Sequence, residues 1–176
     1  MNKSLKILPT DRLLGTYNKI NNMQEKYNKQ RNLILYTISK FGQKGISKIK
    51  LMKLLFLIDR ELAYRGKDPL FTWKIWKYGP LSFDALDIID ELIVEGYVQV
   101  KEWTEKGRKR KAYTTTMRFL PATLDRDVVS IVDEVVSKWR NKPLDELLSY
   151  IYNLEEVKDK WPGATVVFKH DNNRDA

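Results

Sequence analysis

The sequence predicts a mainly α fold, a winged-helix-like domain with a small β-hairpin and additional N- and C-terminal helices. Three observations predict it. Five separate segments read as helices, on apolar spacing in the first and third and on caps and stops in others. The first elements run in the order helix, helix, short strand, helix, hairpin, which is the order of a winged helix. The run ELIVEGYVQV followed by GRKRKAYTTT then supplies the helix end, strand, basic loop and strand that a wing requires.

Residues 1–23 are polar and basic and read as an N-terminal extension, with Pro9 and Thr10-Asp11 offering a short helix start. Residues 24–41 read as a helix on Tyr27, Leu33, Ile34, Ile38 and Phe41, with Gly42 as its stop. Ser47 can cap a second helix over 48–64, ended by Gly66 and Pro69. FTWKIWK, 71–77, alternates apolar and polar and reads as one short strand, followed by a Tyr78-Gly79-Pro80 turn. Ser82 can cap a third helix over 83–95, which Gly96 ends. Residues 97–103 and 111–116 read as the two strands of the hairpin, joined by a loop carrying Gly107. A helix at about 125–140 follows, and Pro143 suits the first position of another over 143–152, with Asp145 and Glu146 in its first turn. Residues 24–160 thus read as one domain and 161–176 as a tail whose last residues, 171–176, fray.

Composition excludes much chemistry. The 176 residues are 43% hydrophobic and 31% charged, enough to bury a core without disulfides or a metal. Cysteine is absent, which removes thiol nucleophiles, zinc ribbons and iron–sulfur clusters and fits a reducing cytoplasm. His170 is the one histidine, so neither a Ser-His-Asp triad nor a His-rich metal site is expected. The longest apolar run, LLFLI at 54–58, is far short of the ~20 residues of a membrane span. MNKSLKILPT has no sustained apolar stretch, so no signal peptide is expected. Net charge is +9, distributed as +10 over residues 1–60 (13 Lys/Arg, 3 Asp/Glu), +2 over 61–122 (11, 9) and −3 over 123–176 (8, 11). The basic front half points to an anionic partner.

Three features could carry function. Lys101, Lys106, Arg108, Lys109, Arg110 and Lys111 crowd the wing, where they would neutralise phosphates and release counterions. Residues of this type position a nucleic acid without reading its sequence. The third helix carries Asp84, Asp87, Glu91 and Glu95 on one stripe with Asp90 beside it. This is where a winged helix places its recognition helix, and carboxylates facing phosphates oppose that use. Like charges at this spacing cost about 0.2–0.5 kcal/mol each, which a basic partner or the chain's own front half would relieve. Asp59 falls on an apolar face of the second helix, opposite the polar stripe of Lys50, Lys53, Arg60 and Glu61. A buried carboxylate there needs donors, and we expect Asp59 to hold the Tyr78-Gly79-Pro80 turn or the start of the third helix. Asp84, Asp87 and Asp90 could suggest a metal-dependent nuclease, but a solvated helix face does not converge ligands in a pocket, so no catalytic or metal role is assigned.

KIKLMKLLFLIDRELAYRGKD followed by WKIWKYGPLSFDALDIIDELIVEGYV resembles the Panacea domain, the SocA-like antitoxin family. The resemblance rests on Lys53-Leu54-Leu55 leading to Asp59, on Tyr78-Gly79-Pro80, and on the helix running into Glu95-Gly96-Tyr97-Val98, over roughly residues 30–160. It implies a non-enzymatic antitoxin or adaptor that binds a toxin or delivers a protein for proteolysis, without cofactor. The leading expectation is therefore a protein partner seated on Asp84, Asp87, Glu91, Glu95, Trp73 and Trp76, aromatic side chains being common interface hot spots. The alternative is a regulator that grips double-stranded DNA through the wing. A homodimer is compatible with either, and neither needs a membrane.

Overall fold

The computed structural model of the chain describes residues 10–116 and 124–169. Within them the protein is mainly helical, with two small antiparallel hairpins. The expectations for residues 1–9 and for His170 and the residues after it lie outside the described residues.

Helix α1 spans Thr10–Ser39, so the helix expected from residue 24 begins fourteen residues earlier, at the Thr10-Asp11 start. Only its C-terminal third is buried, through Gln30, Leu33, Ile34, Leu35, Thr37 and Ile38. Helix α2, Lys48–Tyr64, is the centre of the molecule and is buried on nearly every side. Ser47 caps it as expected, its hydroxyl accepting from Lys50 N–H at 3.3 Å. Its C-terminus closes when Gly66 adopts φ +72°, letting Lys67 N–H reach the Leu62 carbonyl at 2.9 Å.

The single strand expected at 71–77 is instead one arm of a tight hairpin. Strands β1, Lys74–Trp76, and β2, Gly79–Leu81, pair antiparallel, with Trp76 opposite Gly79. The strand starts late because Asp59 engages the backbone at residues 70 and 71, as described below. Helix α3, Phe83–Val94, begins at the expected Ser82 cap, which accepts from Ala85 N–H at 3.2 Å. Strands β3, Val98–Glu105, and β4, Arg108–Thr115, form the long hairpin. Their turn is only Lys106-Gly107, both at positive φ (48° and 74°), so most of the basic residues expected in a loop belong to the strands. Ile46 adds a third rung at the base of this hairpin, exchanging hydrogen bonds of 2.8 and 3.0 Å with Tyr113.

Helices α4, Arg126–Trp139, and α5, Leu144–Tyr152, close the core over α2, with Pro143 at the cap of α5 rather than its first position. The segment expected to be a tail returns to the body. Gly163 N–H donates to Ile75 O, Ile75 N–H to Ala164 O and Val166 N–H to Trp73 O, so residues 163–166 lie along β1. Val166 is buried, and Phe168 packs on Phe56 with ring centroids 5.4 Å apart.

Candidate partner-binding site

Two buried ionisable residues of α2 fasten the β1–β2 hairpin at both ends. Asp59 is wholly buried, and its carboxylate accepts from Leu70 N–H and Phe71 N–H, both at 2.8 Å, and from Trp73 Nε1–H at 2.9 Å. Burial pushes its carboxyl up to about 6, against the downward pull of these three donors. The turn expected to receive it is held by another residue. Lys53, expected on the polar stripe, is buried, and its Nζ donates to the Pro80 carbonyl at 2.7 Å. Asp59 therefore secures the entry to β1 and Lys53 secures β2, which corrects the anchoring expected from sequence.

Burial holds the Lys53 ammonium down at about 8, below its usual 10.5. Between those values the unfolded chain keeps a proton that the folded chain has released, so this group makes the protein more stable as pH rises from 8 to 10.5. Its contribution is lost again as pH falls through 8. Unfolding free energies of wild type and Lys53→Met, measured by urea titration across that window, should diverge in favour of wild type. Parallel pH profiles would show that the Lys53 charge is not buried.

Above these two fastenings the hairpin presents aromatic side chains to solvent. Trp76 is 52% exposed and meets Phe83, also exposed, edge to face at 6.0 Å. Tyr78 is exposed, with Lys77 Nζ 5.4 Å from its ring centroid. Gly79 has φ +82°, and a Cβ there would lie 2.9 Å from Cε1 of Tyr152, so glycine lets the turn and α5 touch. Burial, with Tyr78 nearby, raises the Tyr152 hydroxyl above its usual value. Trp73, expected to face a partner, is 1% exposed and committed to Asp59 and to an edge contact with Phe56 at 5.3 Å, so it cannot.

The acidic stripe of α3 is divided. Tyr27 of α1 donates to Glu91, and the guanidinium of Arg31 clasps Glu95 through both its terminal nitrogens. The chain's own front half thus relieves this part of the repulsion, and the Arg31 guanidinium holds the Glu95 carboxyl below its usual range. Asp84 accepts from Thr72 N–H at 3.3 Å, while Asp87 remains exposed.

The wing cations do not act as one group. Lys101 Nζ donates to Gln43 O at 2.9 Å and Gln43 Oε1 at 3.1 Å, which ties the base of the hairpin to the α1–α2 connection. Lys111 pairs with Glu102 at 2.6 Å and Arg110 with Glu105 at 3.4 Å. Lys106, Arg108 and Lys109 have no ion-pair partner among the described residues.

Sequence reasoning missed Glu156. It is buried after α5, and its Oε1 accepts from Arg60 Nε–H at 3.0 Å and from the Tyr64 hydroxyl at 2.6 Å, while Oε2 has no partner among the described residues. Burial opposes its ionisation, yet Tyr64 and Arg60 hold its carboxyl below the usual range. Nothing in its local sequence separates it from Glu155, which is exposed. Among the described residues, no group of three or more His, Asp or Glu side chains is arranged to hold a metal ion.

The fastened hairpin lies inside a recognisable unit. Residues 51–156, more than half the chain, match the family model described as antitoxin SocA-like, Panacea domain. The chain belongs to this family. No curated protein and no solved structure matches it. The Panacea segment takes in Lys53, Asp59, both hairpins and Glu156, and it leaves all of α1 outside.

Proposed function

We propose that this Panacea domain is a non-enzymatic, antitoxin-like binding module that seats a partner protein, such as a toxin, on the exposed tip of the β1–β2 hairpin. The observation that carries the reading is the exposure of Trp76 and Tyr78 on a hairpin fixed from below by Asp59 and Lys53, with Trp76 set edge to face against the exposed Phe83 at the start of α3. Aromatic side chains on a rigid support lose little freedom on binding and dominate interface energies. Asp84 and Asp87, at the start of α3, give the same surface an acidic border suited to a basic partner.

A second reading has support of its own. α2, α3 and the long hairpin with its Ile46 rung follow a winged-helix-like order, and residues 101–111 hold six cations against two carboxylates. In that reading the wing meets DNA phosphates, while α3, being acidic, stays out of the groove.

One experiment tests both. The tagged chain is pulled down from native lysate with and without nuclease, alongside Trp76→Ala with Tyr78→Ala, and a variant with Arg108, Lys109, Arg110 and Lys111 all changed to Ser. A stoichiometric protein that survives nuclease and is lost from the aromatic variant supports the first reading. The expected loss is about 2–4 kcal/mol, or 30-fold or more, with thermal stability little changed. A partner held equally by both variants sinks it. Nucleic acid lost from the wing variant, with a steep salt dependence, establishes the second.

A further inference from the structure

The N-terminal half of α1 carries an apolar face that nothing in the described chain covers. Residues 10–26 are all exposed, and Leu13, Leu14, Tyr17, Ile20 and Met23 are between 54% and 64% exposed. Their spacing is ordered. Leu13, Tyr17, Ile20, Gln24 and Tyr27 follow one another at steps of four, three, four and three, the seam of a heptad repeat, and Leu14 and Met23 flank it. The same line continues through Arg31 and Ile34, where α1 meets the body.

The charges have a pattern too. Between residues 10 and 29 every charged side chain, Asp11, Arg12, Lys19, Glu25, Lys26 and Lys29, falls on the outer positions of the heptad. The seam and its flanks hold only apolar, Thr, Asn and Gln side chains. In a chain of net charge +9 this matters, because a two-fold pairing brings each face against itself. A face bearing lysines would repel its own copy, and this one bears none. A partner chosen by charge would find nothing on the seam to read. The composition also calls for a cover. Gly15, Thr16, Asn18, Asn21 and Asn22 are weak helix formers, and a solvated stretch of this length is marginal without packing.

We propose that the occupant is a second copy of this chain, the two α1 helices pairing along Leu13, Tyr17 and Ile20. Five apolar side chains offer roughly 500 Å² on each copy, less than the ~800 Å² per partner of a tight complex, so the dimer is a weak, concentration-dependent one. It is separate from the hairpin tip and independent of what that tip binds.

Sedimentation velocity of the full chain, from low to high micromolar concentration, tests this. The sedimenting mass should climb from 20.8 kDa towards twice that value, and persist in high salt. Tyr17→Glu with Ile20→Glu should stay monomeric throughout with an unchanged melting temperature, and Asn18→Glu with Asn22→Glu, on the outer positions, should still dimerise. If the charged pair unfolds, Tyr17→Ser with Ile20→Ser makes the same comparison. A wild type that stays monomeric overturns the proposal and leaves the seam to a different protein. A dimer indifferent to the seam variants overturns it equally.

Discussion

Asp59→Ala lowers the unfolding free energy by about 3–5 kcal/mol, read from urea or thermal denaturation. The change removes an acceptor that three donors share, Leu70 N–H, Phe71 N–H and Trp73 Nε1–H, in a place water does not enter. Each buried donor left without a partner costs about 1–3 kcal/mol. The cavity left behind adds to this, since Asp59 is wholly enclosed. Asp59→Asn separates shape from chemistry. Its amide oxygen can satisfy one side of the site, but its NH2 group points a donor at a donor, so the variant should lie between wild type and alanine. An alanine variant within about 1 kcal/mol of wild type would mean that the 70–73 segment is held by other contacts.

Gly45→Ala should cost about 3–4 kcal/mol, with the loss traced to the long hairpin. Gly45 has φ +73° and ψ −178°, a region essentially reserved for glycine. A Cβ there would sit 2.6 Å from the Tyr113 carbonyl oxygen, 2.9 Å from Thr114 Cγ2 and 3.1 Å from Ala112 Cβ. That carbonyl cannot move aside cheaply, because it accepts from Ile46 N–H while Tyr113 N–H donates to Ile46 O. Backbone strain and overpacking of about 1–3 kcal/mol each therefore add. Gly107→Ala is the control. Its φ is also positive, +74°, but no atom lies within 4 Å of the added carbon, so only the conformational term of about 1 kcal/mol remains. Equal melting temperatures for the two variants would refute the packing argument.

What the sequence disclosed was mostly local. Ser47 and Ser82 cap their helices because a hydroxyl three residues before a free N–H acts without distant help. Gly66 and Gly96 end α2 and α3 for an equally local reason, their positive φ. The need of Asp59 for N–H donors was legible from its apolar neighbours, but which donors was not, because Leu70 and Phe71 reach it only once the chain has turned back on α2. Lys53 was misplaced for a related cause. Helical projection puts it beside Lys50, and only the later arrival of Pro80 buries it. Trp73 and Trp76 were both expected to face a partner, yet they are three residues apart in an alternating segment, which puts Trp73 in the core with Phe71 and Ile75 and Trp76 in solvent. The early start of α1 was missed although Leu13, Tyr17 and Ile20 already carry helical spacing, because Gly15, Thr16 and Asn18 between them are weak helix formers.

The double fastening of the β1–β2 hairpin divides labour between the residues that hold it and the residues that it exposes. Lys53 acts through the main chain at Pro80, and Asp59 through the main chain at Leu70 and Phe71 and the indole of the buried Trp73, none of which is a solvent-facing side chain of the hairpin tip. The solvent-facing residues Trp76, Lys77 and Tyr78 hold none of these bonds. Their side chains can be exchanged without touching what keeps the hairpin in place. On the proposed reading of the hairpin tip as the partner's seat, recognition is uncoupled from foldability, and a new specificity lies only a few solvent-facing substitutions away on an unaltered frame.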